Sequence, residues 1–164
     1  MNNITNDQPF REHLVNLLYS GGAHATLDDV LRGVPEDLRG KSVSGINRSI
    51  WQILEHLRIC QKDILDYMVL DNYKEMKFPD EYWPHDPMPP SADAWDNCIQ
   101  QFKADLKEIE NITRDPSIDL YAKVPTGDHT LLREILLVAD HNAYHIGQII
   151  FLRQLLGIDS DGWI

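Results

Sequence analysis

The chain predicts an all-α fold, a four-helix bundle with one long proline-rich crossover. Three observations carry this. Four long segments place apolar residues at helical spacing. The segments are separated by clusters of Gly, Pro and Asp. No segment of the chain reads clearly as a sheet, although Leu120 to Val124 could be extended. With 164 residues, the whole of 1–164 is expected to form one domain around one core.

The first helix is expected over Phe10–Arg32, where Leu14, Leu17, Leu18, Ala25, Leu27 and Leu31 recur. Gly21-Gly22 interrupts it and predicts a bend or a division in two. Gly33, Pro35, Gly40 and Gly45 then mark a loop. The second helix is expected from about Asn47 to Leu70, with Ile46, Ile50, Ile53, Leu57, Ile64 and Met68 as its stripe. Between Phe78 and Pro90, five prolines in thirteen residues exclude helix and inner strand. This is the stiff crossover, and its Tyr82 and Trp83 are candidates to cover a pocket mouth or to meet a partner. Ser91 is the expected cap of the third helix, which carries Trp95, Ile99, Phe102, Leu106 and Ile109 and stops at Asp115-Pro116. An irregular stretch, Ser117–His129, leads to Asp128 or Thr130 as cap of the fourth helix, which Gly157 closes.

The fourth helix holds the most informative feature, His141-Asn142-Ala143-Tyr144-His145. Two residues four apart on a helix lie about 40° apart around its axis. Leu131, Val138, Ile149, Leu152 and Leu156 share the direction of the pair, whereas Arg133, Asp140 and Gly147 point away. A buried imidazole needs partners for its ring nitrogens, and two adjacent ones can share a metal ion. The HxxxH spacing alone favours a structural or solvated pair; the apolar face shifts that balance. A tetrahedral ion needs at least one more protein ligand. His56, in mid-helix beside Ile53, Cys60 and Tyr67, is the candidate, so the expected ligands are His56, His141 and His145. Three neutral imidazoles with an open position activate a water or bind a thiolate. Zinc or nickel is the expected divalent ion, with copper and iron also suited to imidazole. Ligation by ordinary imidazole predicts loss of metal below about pH 6.

The other polar candidates are weaker. Asp63 and Glu134 share the faces of His56 and His141 and are candidates to support the ligands. His85 and His129 are expected at the surface. His24 is read either as a surface residue or as a pocket residue. Cys60 and Cys98 read as packed thiols, Trp51 and Trp95 as core, and Tyr67 and Tyr144 as packing residues able to donate to a ligand. Gly147 inside a helix suggests close approach of another helix or a partner chain.

Composition bounds the function. A net charge of −11 argues against a nucleic-acid partner. No apolar run approaches a membrane span, the N-terminus has no signal pattern, and the cysteines have no disulfide or zinc spacing, so a cytoplasmic protein is expected.

The segments SIWQILEHLRICQ (Ser49 to Gln61), LLREILLVADHNAYHIGQIIFLRQLLG (Leu131 to Gly157) and SGGAHATLDDVLRGVP (Ser20 to Pro35) resemble the DinB-like (DinB/YfiT) superfamily of metal-binding four-helix bundles. The resemblance covers nearly the whole chain. It implies a metal triad of one His from the second helix and two, four apart, from the fourth: His56, His141 and His145. Some members are S-transferases or isomerases that use low-molecular-weight thiols such as bacillithiol, mycothiol or glutathione. The resemblance therefore implies a metal-dependent thiol S-transferase acting on small electrophiles. A metal-dependent hydrolase and a non-catalytic metal- or ligand-binding stress-response protein are the alternatives. A small-molecule substrate or thiol is the expected partner, and such bundles commonly pair as two-fold homodimers.

Overall fold

The computed structural model describes residues 7–20 and 22–159. Gly21, half of the expected Gly21-Gly22 break, and the first six residues lie outside the described residues. Among the described residues the chain forms five α-helices: α1 Gln8–Leu18, α2 Leu27–Leu31, α3 Ile50–Val69, α4 Ala94–Arg114 and α5 Leu131–Leu155. The long ones, α1, α3, α4 and α5, pack side by side as an all-α bundle. None is long and apolar enough to cross a membrane.

The expected first helix is two pieces. Thr26 starts α2 with a capping box: its hydroxyl accepts from the Asp29 amide, and the Asp29 carboxylate accepts from the Thr26 amide. A fresh N-terminal cap cannot sit inside a continuous helix, so the pattern Phe10–Arg32 divides there. The third helix starts later than Ser91. Asp93 occupies the cap position, and the Ser91 carbonyl accepts from the Ala94 amide in a preceding turn. Of the two expected caps for α5, Thr130 serves, its hydroxyl accepting from the Arg133 amide at 3.2 Å. At the other end Gly157, with φ of 70°, closes a Schellman turn: its amide donates to the Gln154 carbonyl and the Ile158 amide to that of Arg153.

α3 is the central helix. It packs on α4 and α5, and the crossover covers a third side. Ile50, Ile53, Leu54, Leu57, Leu65 and Met68 are accordingly buried, together with Gln52, His56 and Gln61. Gln61 donates to the Phe102 carbonyl of α4 at 2.7 Å and accepts from Asn142 of α5 at 3.0 Å. This buried amide pair joins three helices and sets the register of α5 on α3. Ile46 falls before α3 and is exposed.

The crossover runs back along α3. Ser49 caps α3 by accepting from the Gln52 amide, and its hydroxyl donates to the Pro87 carbonyl at 2.6 Å. Gln52 closes the same capping box and donates to the Pro84 carbonyl at 3.0 Å. Tyr82 reaches Asp63 with its hydroxyl at 2.7 Å, and Tyr73 donates to the same carboxylate at 2.9 Å. Gly40 lets the crossover lie close, because a Cβ there would fall 2.6 Å from the Pro87 carbonyl oxygen.

Two buried arginines close the ends of the bundle. Arg11 of α1 donates to the carbonyls of Thr113, Asp115 and Ile118, where α4 ends. Arg153 of α5 donates to those of Val30 and Arg32 at the end of α2. Replacing Arg11 with Met should cost about 2–4 kcal/mol in urea unfolding, since buried carbonyls lose a charged donor. Outside its own stretch of helix, no atom of the described residues lies within 4 Å of a Cβ built on Gly147, so none of the described helices explains it. Gly147→Ala should therefore raise the stability of the monomeric chain by about 0.5–1 kcal/mol through helix propensity. A loss of stability in the same unfolding measurement would show that another chain packs there.

Candidate metal centre

The structure brings His56 of α3 and His141 and His145 of α5 to one point. One nitrogen from each lies within 4.8 Å of those of the other two. Their ring centroids are 5.2 Å apart for His56–His141, 4.7 Å for His56–His145 and 4.5 Å for His141–His145. His56 and His145 are buried and His141 is half-buried. The pair sits on the flank of the buried face of α5, not at its centre. That centre runs through Ile135, Val138, Asn142, Ile146 and Ile149. The histidines consequently face a cleft under the crossover and not the middle of the bundle.

Hydrogen bonds orient two of the rings. His56 Nδ1 lies 2.8 Å from the Tyr82 carbonyl oxygen. A carbonyl only accepts, so Nδ1 carries the proton and Nε2 keeps its lone pair. His145 Nδ1 lies 2.7 Å from Gln148 Oε1, which imposes the same tautomer. Trp83 stacks on His56, with centroids 3.7 Å apart and planes 4° from parallel. Burial pushes His56 down to about 4, against the Tyr82 bond and with help from His145 and Arg48. Burial pushes His141 down to about 3, with His145 and His56 adding to it. His145 is lowered by burial and partly restored by Gln148. All three imidazoles are neutral near pH 7, the form that binds a metal. The donor set fits a divalent ion: three neutral nitrogens converging, two with fixed tautomers, at the wall of an open cleft.

The cleft has a volume of about 770 Å³. Its apolar walls come from Ile53 of α3, from Phe78, Tyr82 and Trp83 of the crossover, and from Tyr144, Phe151 and Leu155 of α5. Among the described residues, no aspartate, glutamate or lysine lines it; Arg48 is its one permanently charged residue. Cys60 also faces it, with its sulfur 3.4 Å from His56 Nδ1. Burial, then Asp63, pushes the Cys60 thiol up to about 12, so it stays protonated.

The remaining candidates separate. Asp63 does not touch the triad; it anchors the hydroxyl of Tyr82, whose carbonyl holds His56. Glu134 is buried away from the cleft, where Arg133 and His129 meet it at 2.8 and 2.9 Å. His24 is exposed and bonds its neighbour's carbonyl, so it is a surface residue. His85 and His129 are exposed. Tyr67 packs against Tyr73 and His129, while Tyr144 stands exposed at the mouth of the cleft. Sequence reasoning missed Gln148 and Arg48. The spacing His145 to Gln148, three residues on one helical face, is a signal that could have found the first.

A family model described as the DinB superfamily matches residues 22–149. The chain belongs to that superfamily. No curated protein matches the chain, and no solved structure does.

Two outcomes follow from the geometry. Gln148→Ala should weaken zinc binding about 10–100-fold in competition with a chromophoric chelator, leaving the fold intact. Below about pH 6.5 an unfolded chain takes up protons that the folded histidines refuse until about pH 4 for His56 and about 3 for His141. Metal-free protein should thus lose stability as pH falls through this window, and His141→Leu should flatten the dependence of the melting temperature on pH. For the same reason zinc should be retained below the value of about 6 expected for ordinary imidazole.

Proposed function

With membership of the DinB superfamily and its three-histidine group as premise, we propose that the protein is a metal-dependent thiol S-transferase. His56, His141 and His145 would hold a divalent ion, zinc or nickel first. When bound, such an ion would lower the pKa of a thiol substrate, while the three imidazoles hold it at the wall of the cleft. The sulfur attacks an electrophilic carbon; a new S–C bond forms, the leaving group departs with its electron pair, and the thiol proton passes to solvent.

The single observation that carries this reading is the composition of the cleft around the imidazoles. Its wall is apolar and offers no carboxylate or lysine, among the described residues, as a general base. A bound ion would bring water from about 15.7 to about 7 and a thiol from about 8.5 to lower still. A hydrolase would in addition need a group to protonate its leaving group, and no carboxylic acid or lysine among the described lining residues offers one. An apolar wall also suits a small organic electrophile and keeps competing water away from it. Trp83 and Tyr82 serve here as positioning residues, Trp83 by stacking on His56 and Tyr82 by fixing its tautomer. A reduced compartment such as the cytoplasm fits both the thiol chemistry and the two free cysteines, Cys60 and Cys98.

The test is turnover. Protein loaded with zinc, nickel or manganese is offered bacillithiol or glutathione and a generic chloroaromatic electrophile. At least one metal–thiol pair should exceed His141→Ala by about 100-fold or more, a loss of about 2.7 kcal/mol of transition-state stabilisation. If no pair exceeds the variant while the metal stays tightly bound, the S-transferase reading is overturned.

A further inference from the structure

Resting on the reading of the cleft as a substrate site, we propose that it takes an organic carboxylate. The apolar body would lie along the aromatic wall and the carboxylate on Arg48. The guanidinium carbon of Arg48 lies over the Trp83 ring, 4.5 Å from its centroid. No acceptor meets it among the described residues. Arg32, Arg58, Arg114 and Arg133 each pair with a carboxylate of the chain. In a chain with 26 Asp and Glu against 15 Lys and Arg most arginines meet a carboxylate; Arg39 and Arg48 instead lie over indoles, and of these two only Arg48 lines the ligand-sized cleft.

Stacking on an indole uses the face of a guanidinium and leaves its in-plane N–H groups free. Those groups form a fork that matches the two oxygens of a carboxylate. The same indole stacks on His56, so the fork and the metal-ligand group share one aromatic platform. Beyond it Phe78, Tyr144, Phe151 and Leu155 stand 77 %, 65 %, 67 % and 59 % exposed while lining the cleft. They form an apolar surface with no partner inside the chain, large enough for an aromatic or alkyl body. The carboxylate could belong to the electrophile or to the thiol, and the two sources can be told apart.

Isothermal titration would compare 4-phenylbutyrate with 4-phenylbutyramide, and glutathione with its diethyl ester. Each is run on wild type, R48Q and R48K, zinc-loaded and zinc-free. Wild type should prefer phenylbutyrate or glutathione over its neutral counterpart by about tenfold, with or without zinc. R48Q should reduce that preference to within about twofold without changing amide binding, and R48K should restore part of it. A preference confined to phenylbutyrate assigns the carboxylate to the electrophile; one confined to glutathione assigns it to the thiol. Equal binding of acid and neutral forms by wild type overturns the proposal. So does a preference that survives in R48Q, or one that appears only with zinc, which would be direct coordination. Absence of S-transfer in the turnover assay, with the Arg48-dependent preference intact, would overturn the enzymatic reading alone.

Discussion

The arrangement depends on one row of hydrogen bonds, from the side chains of α3 to the backbone carbonyls of the crossover. Ser49, Gln52 and His56 are spaced by three and four residues, so they line one face of the helix. They donate to Pro87, Pro84 and Tyr82 in turn. Proline lacks an N–H, and a carbonyl outside regular structure must find its donor elsewhere. The helix supplies those donors, and one of them is the ring of a prospective metal ligand. The crossover is thus a wall of the cleft, and it orients the imidazole as well as covering it.

A second constraint is electrostatic. Three neutral imidazoles crowd together in an apolar place where a proton on any one is disfavoured by burial, and on His141 by both neighbours too. The buried amides of Gln61 and Asn142 hold α5 against α3. The fold therefore carries the cost of grouping three bases with no anion beside them. Such a group is of little use to packing, since three aliphatic side chains would fill the space without it. It is poised for a Lewis acid.

Much of this was legible in the chain. The helices show in their apolar periodicity, and the His pair in its spacing on an apolar face. His56 shows as a histidine in mid-helix among Ile53, Cys60 and Tyr67. These are local patterns, and a single helix encodes them. The division of the first helix was half visible at Gly21-Gly22, but the capping box of Thr26 and Asp29 settles its second part. The role of the crossover was hidden, because it depends on carbonyls of Tyr82, Pro84 and Pro87 that carry no signature in side-chain identity. Arg48 was hidden for a related reason: its meaning comes from the lack of a carboxylate around it, which only the three-dimensional neighbourhood displays. Asp63 and Glu134 show the opposite error. Helical position put both on the right faces, yet Asp63 serves the Tyr82 hydroxyl and Glu134 a different corner.

The crossover bonds have a further consequence for how such a protein can change over evolutionary time. At Ser49 and Gln52, helix α3 reads the path of the neighbouring segment and not its side chains; at Tyr82 and Trp83 it reads side chains too, through Asp63 and the ring of His56. Apart from Tyr82 and Trp83, residues 79–90 can therefore be rewritten while His56 stays in place, provided that the carbonyls still fall opposite their donors. Length and backbone course are constrained, and composition is comparatively free. Phe78, which lines the cleft at the start of the crossover, becomes an adjustable surface mounted on a fixed rail, whereas Trp83 is tied to the ring it stacks on. Ligand preference could then diverge at Phe78 between descendants of one ancestor without disturbing the histidine group, because that part of the wall does not touch the ring.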